Sequence, residues 1–367
     1  MQLEKGKLSY AQLTALITGY ISSQVLALGL ISVYAGPNAW LAVLTGMMVS
    51  FFFAWVYVTL ARQFPGKTLV EFNDILYGPY LGKGISALYL LFFFQLTSYN
   101  MRDYGEFFGH ILMTQTPVAV FVIVSVLLAA IAVRYGIETI GRVGIILVGS
   151  IILYYVTVFL LLLKEMDWSN LLPFFSIPVK DFYTASTIAA TVPFGEAVAF
   201  LMIIPFYNQR RPLKGLVMKA FGLAGCLLVV SALRNSLVLG NTGSIAAFSF
   251  VESVRLIHIA DFLTRLDILV AMFFSFAAFI KGAVLFYVVV LGISQLLRLR
   301  SYKPLTFPLA ILFVCVSMSI YDYFPENFSM IEYRAPYYNF VIAFLLPLAS
   351  LILAKAKQRR QAGRENH

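Results

Sequence analysis

Six charged side chains, Arg102, Asp103, Glu106, Glu196, Arg234 and Lys281, lie inside long apolar runs. An ionisable group in such surroundings is costly and marks a functional candidate: it pairs, exchanges a proton or meets a ligand. Glu196 comes first, because it follows Pro193 and Gly195 in TVPFGEA, residues 191–197. Proline donates no hydrogen bond and frees the carbonyl four residues back. Glycine leaves the helix at little steric cost. A helix broken here exposes backbone groups around Thr191, Phe194 and Gly195, beside a carboxylate. That carboxylate accepts hydrogen bonds from a ligand ammonium, takes up a proton, or caps the helix that restarts after the break. All three roles stay open at this point.

Lys281 is the second candidate. A buried ammonium requires partners: carbonyls freed in the first apolar run, where it would replace a bound cation, or a carboxylate. That first run is interrupted by Gly19, Tyr20, Ile21, Ser22, Ser23 and Gln24, and the run over 85–110 carries Gln95, Thr97, Ser98, Tyr99 and Asn100 near its middle. Tyr99 and Asn100 both donate and accept, towards a ligand or towards a neighbouring helix. Arg102, Asp103 and Glu106 lie one or two turns further out. Arg234 has a similar depth and is expected to pair with Asp103 or Glu106, in a structural or gating role. Asp261 and Arg265 have the i,i+4 spacing of a surface pair.

The elements that position these groups follow from composition. Of 367 residues, 60% are hydrophobic and only 12% charged, too few charges for a soluble surface. A membrane-spanning helix takes about 20 residues. The apolar runs predict ten, over 10–33, 38–61, 85–110, 117–133, 140–163, 183–206, 216–239, 266–297, 305–324 and 337–355. The runs are continuous rather than alternating, which excludes a β-barrel. Lys5 and Lys7 before the first run resemble a leader peptide, but the run is long, polar-interrupted and lacks a small-residue cleavage site. Nineteen of the 27 Lys and Arg residues fall on one side of this arrangement, and the positive-inside rule then places both termini in the cytoplasm. The asymmetry also accounts for the net charge of +10 without a nucleic-acid partner. Phe250, Val254, Ile257 and Phe262 suit an amphipathic helix lying on the outer surface. Cys226 and Cys315 read as small core residues.

Enzyme chemistry finds no footing. His110, His258 and His367 have no metal-ligand spacing, and there is no phosphate loop or nucleophile elbow. No cofactor or metal is expected.

Ten spans divide around the 164–182 connection into five and five. Five is odd, so two similar units, 8–163 and 181–355, would be inverted relative to one another, an architecture that places a binding site at mid-membrane between discontinuous helices. The unusual midplane residues fall on runs 1, 3, 6 and 8. The fold class is therefore an all-α integral membrane domain over 1–367, a five-plus-five inverted repeat with broken helices 1 and 6. A basic tail over 356–367 anchors topology near anionic lipid.

At PFGEAVAFLMIIPF, residues 193–206, the chain resembles the endospore germination permease family, the B subunits of spore germinant receptors, within the amino acid–polyamine–organocation superfamily. FPGKTLVEF at 64–72, RYGIETIGR at 134–142, NLLP at 170–173, HIADFLTRLD at 258–267 and FIKG at 279–282 agree in order. The resemblance implies a multi-pass nutrient sensor of the spore inner membrane, acting with an A subunit and a lipoprotein C subunit, on a broken-helix transporter fold. A small neutral amino acid is the ligand it implies by default. The expected ligand-binding residues are Gly19, Ser22, Ser23, Tyr99, Asn100, Thr191, Phe194, Gly195 and Glu196. Lys281, Arg102, Asp103 and Arg234 are the expected buried charges or gates, and Pro193 the helix break. The alternatives are a proton-coupled amino-acid transporter using the same pocket, and a scaffold subunit with a vestigial one.

Overall fold

The computed structural model describes residues 4–173, 177–208, 211–244, 248–257, 267–322 and 335–365, with Glu326, Ser329, Met330 and Glu332. These residues are helical throughout their ordered elements. Eight stretches among them are long and apolar enough to cross a membrane.

The first expected run forms two helices, α1 (Tyr10–Ser22) and α2 (Val25–Ala35), separated at Ser23 and Gln24. A capping box starts α1, with Ser9 and Gln12 each satisfying the other's backbone N–H. Then come α3 (Ala39–Gln63), α4 (Leu69–Tyr77), α5 (Leu81–Phe107), α6 (Val118–Tyr135) and α7 (Ile137–Leu161). Gly136, at φ +91°, alone separates α6 from α7, a conformation that costs glycine little. The sixth run opens as α8 (Val179–Ala189), passes through a π-turn over Ala190–Phe194 containing Pro193, and continues as a tight 3-10 helix over Gly195–Met202. The second half comprises α9 (Leu213–Leu239), α10 (Ser249–Arg255), α11 (Asp267–Leu296), α12 (Thr306–Ser319) and a last segment. That segment runs from α13 (Ala335–Asn339) through a π-turn over Phe340–Leu345 into α14 (Leu346–Glu365).

The ten runs and eight crossing stretches differ for local reasons. The cut at Gln24 leaves α1 with 13 residues and joins α2 to α3 as one stretch, Val25–Gln63, while Lys303–Ser319 is short. The last helix also continues to Glu365, so the basic segment begins as helix. Lys357 donates to the Leu76 carbonyl at 2.6 Å, closing the C-terminal end of α4.

Burial sorts the helices. α11 is buried almost continuously from Ala277 to Gly292 and packs against α5, α7 and α1, while α6, α7 and α12 expose Leu127, Ile131, Ile146, Leu153 and Ile311. An apolar outer surface of this extent suits hydrocarbon. Cys226 and Cys315 are exposed on that surface and not in the core, because α9 and α12 each turn one face outward. The expected outer amphipathic helix is also corrected. Phe250, Val254 and Ile257 are buried, and α10 is wedged between α2, α9 and α11, with Phe250 among the rings of Phe107, Phe273 and Phe274. His258, Asp261, Phe262 and Arg265 lie outside the described residues.

Candidate functional site

Irregular backbone inside a membrane requires substitute partners, and side chains supply them here. The Tyr20 hydroxyl donates to the Glu196 carbonyl (3.2 Å), Asn339 Nδ2 to the Thr191 carbonyl (3.3 Å), Tyr57 to the Ala343 carbonyl (2.6 Å) and Tyr155 to the Ser22 carbonyl (3.4 Å). The first two tie the sixth break to the first and last segments, and the other two brace the last and first breaks from α3 and α7. Packing is equally close: a Cβ on Gly46 of α3 would lie 2.7 Å from the Ala189 Cβ and 2.8 Å from the Ala190 nitrogen.

Between these breaks is a cavity of about 410 Å³. α5 supplies its longest wall, Phe92, Gln95, Leu96, Tyr99, Asn100 and Asp103, which share one face at helical spacing. Gln24 enters from the first break, Val192 and Glu196 from the sixth segment, Lys281 from α11, Tyr338 and Asn339 from α13, and Met330 completes the lining.

A charge pair stands on its wall. Lys281 Nζ lies 2.8 Å from Glu196 Oε2, and both residues are buried. Gln24 Nε2 donates to the same carboxylate oxygen at 2.5 Å. The Lys281 ammonium also lies 5.9 Å from the centre of the Tyr20 ring. Of the two partners open to Lys281 in the sequence, it takes the carboxylate and not the carbonyls of the first segment. The Glu196 side chain turns to Lys281 and Gln24, with no backbone N–H of the 3-10 helix donating to it among the described residues. It therefore links three segments, where a cap would serve one.

Tyr99, Asn100, Asp103, Glu196 and Lys281 of the sequence candidates stand on the cavity wall. Six others do not. Ser22 and Ser23 donate to carbonyls of their own helix, Gly19 and Tyr20, and Thr191 to that of Thr187. Gly19 is pressed against Val148 and Ile280, Phe194 stacks near Phe221, and Gly195 faces Ala343 and Phe344. Pro193 sits within the π-turn as the break. The polar wall residues missed as site candidates are Gln24, Gln95, Tyr338 and Asn339. Gln95 had a signal: it lies one turn before Tyr99 and two before Asp103 on the same face.

Two charged clusters stand apart. Arg102 pairs with Glu106 at 2.6 Å, Glu106 reaches His110 at 2.8 Å, and the Arg102 guanidinium lies 4.9 Å from the Tyr321 ring. The Tyr321 hydroxyl donates to Asp103 at 3.4 Å and its ring stacks on Tyr99. This ladder leads from the cavity to the exposed imidazole of His110. The expected pairing of Arg234 with Asp103 or Glu106 is overturned. Arg234 is fully buried and donates to Asn235 (2.8 Å), Ser231 and Ser253, because α10 folds over the end of α9. Among the described residues no three His, Cys, Asp or Glu side chains are grouped to hold a metal.

Comparison with solved structures places this architecture. MhsT in complex with L-phenylalanine superposes with a TM-score of 0.70 at 13% identity, covering 94% of this chain and 87% of that one. Mhp1, a nucleobase-cation-symport-1 family transporter in a closed conformation with bromovinylhydantoin bound, gives 0.63 at 12% identity, covering 89% and 75%. At such identities the likeness establishes the fold. Curated relatives from Bacillus subtilis (strain 168) span nearly the whole chain. Spore germination protein KB is 27% identical over 364 residues, 98% of this chain and 97% of its own length. Spore germination protein B2 is 22% identical over 357 residues, 95% of each. The sequence model of the spore germination protein family matches residues 7–324. This chain, a multi-pass membrane protein with a transporter fold, belongs to the spore germination protein family.

Proposed function

We propose that the chain is the membrane subunit of a spore germinant receptor, and that a small nutrient, by default a neutral amino acid, binds in the cavity at the helix breaks. The observation that carries this reading is the cavity itself, walled by the polar face of α5 and closed by Glu196, Lys281 and Gln24 from three separate segments. A ligand ammonium would meet the carboxylates of Glu196 or Asp103, and Gln95, Tyr99 and Asn100 would complete its hydrogen bonds. A ligand with different affinity for two arrangements of the breaks shifts their populations, and that shift would pass to A and C subunits as partners. The reading includes ten spans arranged as the inverted units 8–163 and 181–355, both termini in the cytoplasm, and residence in the spore inner membrane.

A second reading, a proton-coupled amino-acid transporter, is favoured by the likeness to the Mhp1 transporter fold and by the chain of ionisable groups from His110 to Asp103. A thermal-shift screen of the assembled receptor against amino acids, sugars and nucleosides tests the first reading, since a ligand stabilises the state it binds. Stabilisation by an amino acid, with no uptake by the purified chain in proteoliposomes, supports the receptor. Concentrative uptake by the chain alone supports the transporter. No stabilisation by any compound overturns nutrient binding.

A further inference from the structure

The FPGK sequence at 64–67 belongs to no part of the cavity above. It forms a tight turn after α3: the Lys67 N–H donates to the Phe64 carbonyl at 3.1 Å, with Pro65 and Gly66 at the corners and Gly66 at φ +73°. That pattern of proline followed by a positive-φ glycine fixes the turn without strain. Across the pocket from it, before α9, Tyr207 and Arg211 are held to one another. There the Tyr207 hydroxyl donates to the Arg211 carbonyl (3.0 Å) and accepts from the Arg211 N–H (3.2 Å), while the Arg211 guanidinium lies 5.1 Å from the centre of the Tyr10 ring.

The FPGK turn and the residues Ile204, Tyr207, Arg211 and Leu213 line a second pocket, of about 460 Å³. Among the described residues its charged members are Arg62, Lys67 and Arg211, and none of its described lining residues is a carboxylate. None of the three cations makes a salt bridge to a described carboxylate. The rest of the wall is apolar, with Phe64, Ile204 and Leu213 among its members. Arg62 lies in the last turn of α3 and Leu213 opens α9, both apolar helices of crossing length, so the pocket lies at headgroup depth. Three cations lining one pocket with a largely apolar wall at that depth match an anionic phospholipid, with its phosphate on the cations and its chains along the helices.

We propose that this pocket is a site for an anionic phospholipid. The full-length protein is purified into mixed micelles of phosphatidylglycerol and phosphatidylcholine, and bound lipid is counted by native mass spectrometry. Each interfacial cation strengthens such attraction about fivefold, so Arg62→Gln/Lys67→Gln/Arg211→Gln lowers phosphatidylglycerol retention about a hundredfold and leaves phosphatidylcholine unchanged. Lys83→Gln/Arg300→Gln/Lys303→Gln removes the same charge elsewhere and leaves retention near that of the wild type. The exposed Arg62→Gln alone gives a several-fold loss should the triple variant fold poorly. Equal loss in both triple variants overturns the site in favour of diffuse attraction. Stripping of the lipid by inorganic phosphate at low concentration overturns a lipid in favour of a free phosphate. Unchanged retention, with hexaglutamate bound by the wild type, overturns it in favour of an acidic protein segment.

Discussion

Replacing Lys281 with methionine keeps most of the side-chain bulk and removes the ammonium that lies 2.8 Å from Glu196. Both residues are buried, with 6% and 3% of their surface exposed. Removing one member of a buried pair leaves an uncompensated charge and costs about 3–5 kcal/mol. Among the described residues only Gln24 remains on the carboxylate, and one hydrogen bond to a charged group offsets only about 1.5–3 kcal/mol. Lys281→Met should therefore lower the thermal midpoint of the purified chain in detergent by roughly 4–7 °C. Adding Glu196→Gln removes the orphaned charge and keeps an oxygen for the Gln24 amide. The double variant should recover at least half of the loss, a coupling of about 2 kcal/mol or more. Lys303→Met, at an exposed position, is the control and should cost less than about 0.5 kcal/mol. Tryptophan fluorescence follows the transition. A Lys281→Met midpoint equal to the control, or a double variant as unstable as the sum of the singles, refutes the buried pair.

Glu196→Gln alone should shift the germination response to roughly tenfold or more higher nutrient concentration at normal protein abundance. Normal sensitivity at normal abundance would falsify ligand contact by Glu196. Gly46→Ala puts a methyl group against the backbone at Ala190 and should cost about 1–3 kcal/mol by overpacking, read as a lower midpoint; an unchanged midpoint would show that α3 does not brace the break. Cysteines introduced at Ser169 and Gln358, with Cys226 and Cys315 replaced, should label from opposite faces of the membrane. Labelling of both from one side would contradict the topology.

Continuous apolar runs make crossing helices legible, since hydrocarbon admits few alternatives to a helix. The break in the sixth segment was legible too, because Pro193 and Gly195 act through the backbone and need no tertiary information. The pairing of Lys281 with Glu196 was one of two readings the sequence left open. Side-chain direction was not legible. Ser22, Ser23 and Thr191 are polar and at the right depth, yet each hydroxyl bonds a carbonyl of its own turn, as short hydroxyl side chains can. Gln24 is too long for that and reaches across to Glu196. Arg234 was misassigned because it turns to Ser231 and Asn235 of its own helix and to Ser253 of α10, whose docking no helical spacing encodes. Tyr338 and Asn339 enter the wall through a segment whose π-turn is not announced by a proline at the break.

A nutrient bound in the cavity along α5 must touch the polar face of that helix. Gln95 tests it with least structural disturbance, because it lines the cavity and its side chain makes no hydrogen bond to any described residue. Spores carrying Gln95→Ala at wild-type protein abundance are titrated with the neutral amino acid that triggers wild-type spores. Loss of a neutral hydrogen bond is worth about 0.5–1.5 kcal/mol, so the half-saturating concentration should rise about 2–10-fold with the maximal rate unchanged. A curve superimposable on the wild type would contradict binding at this site.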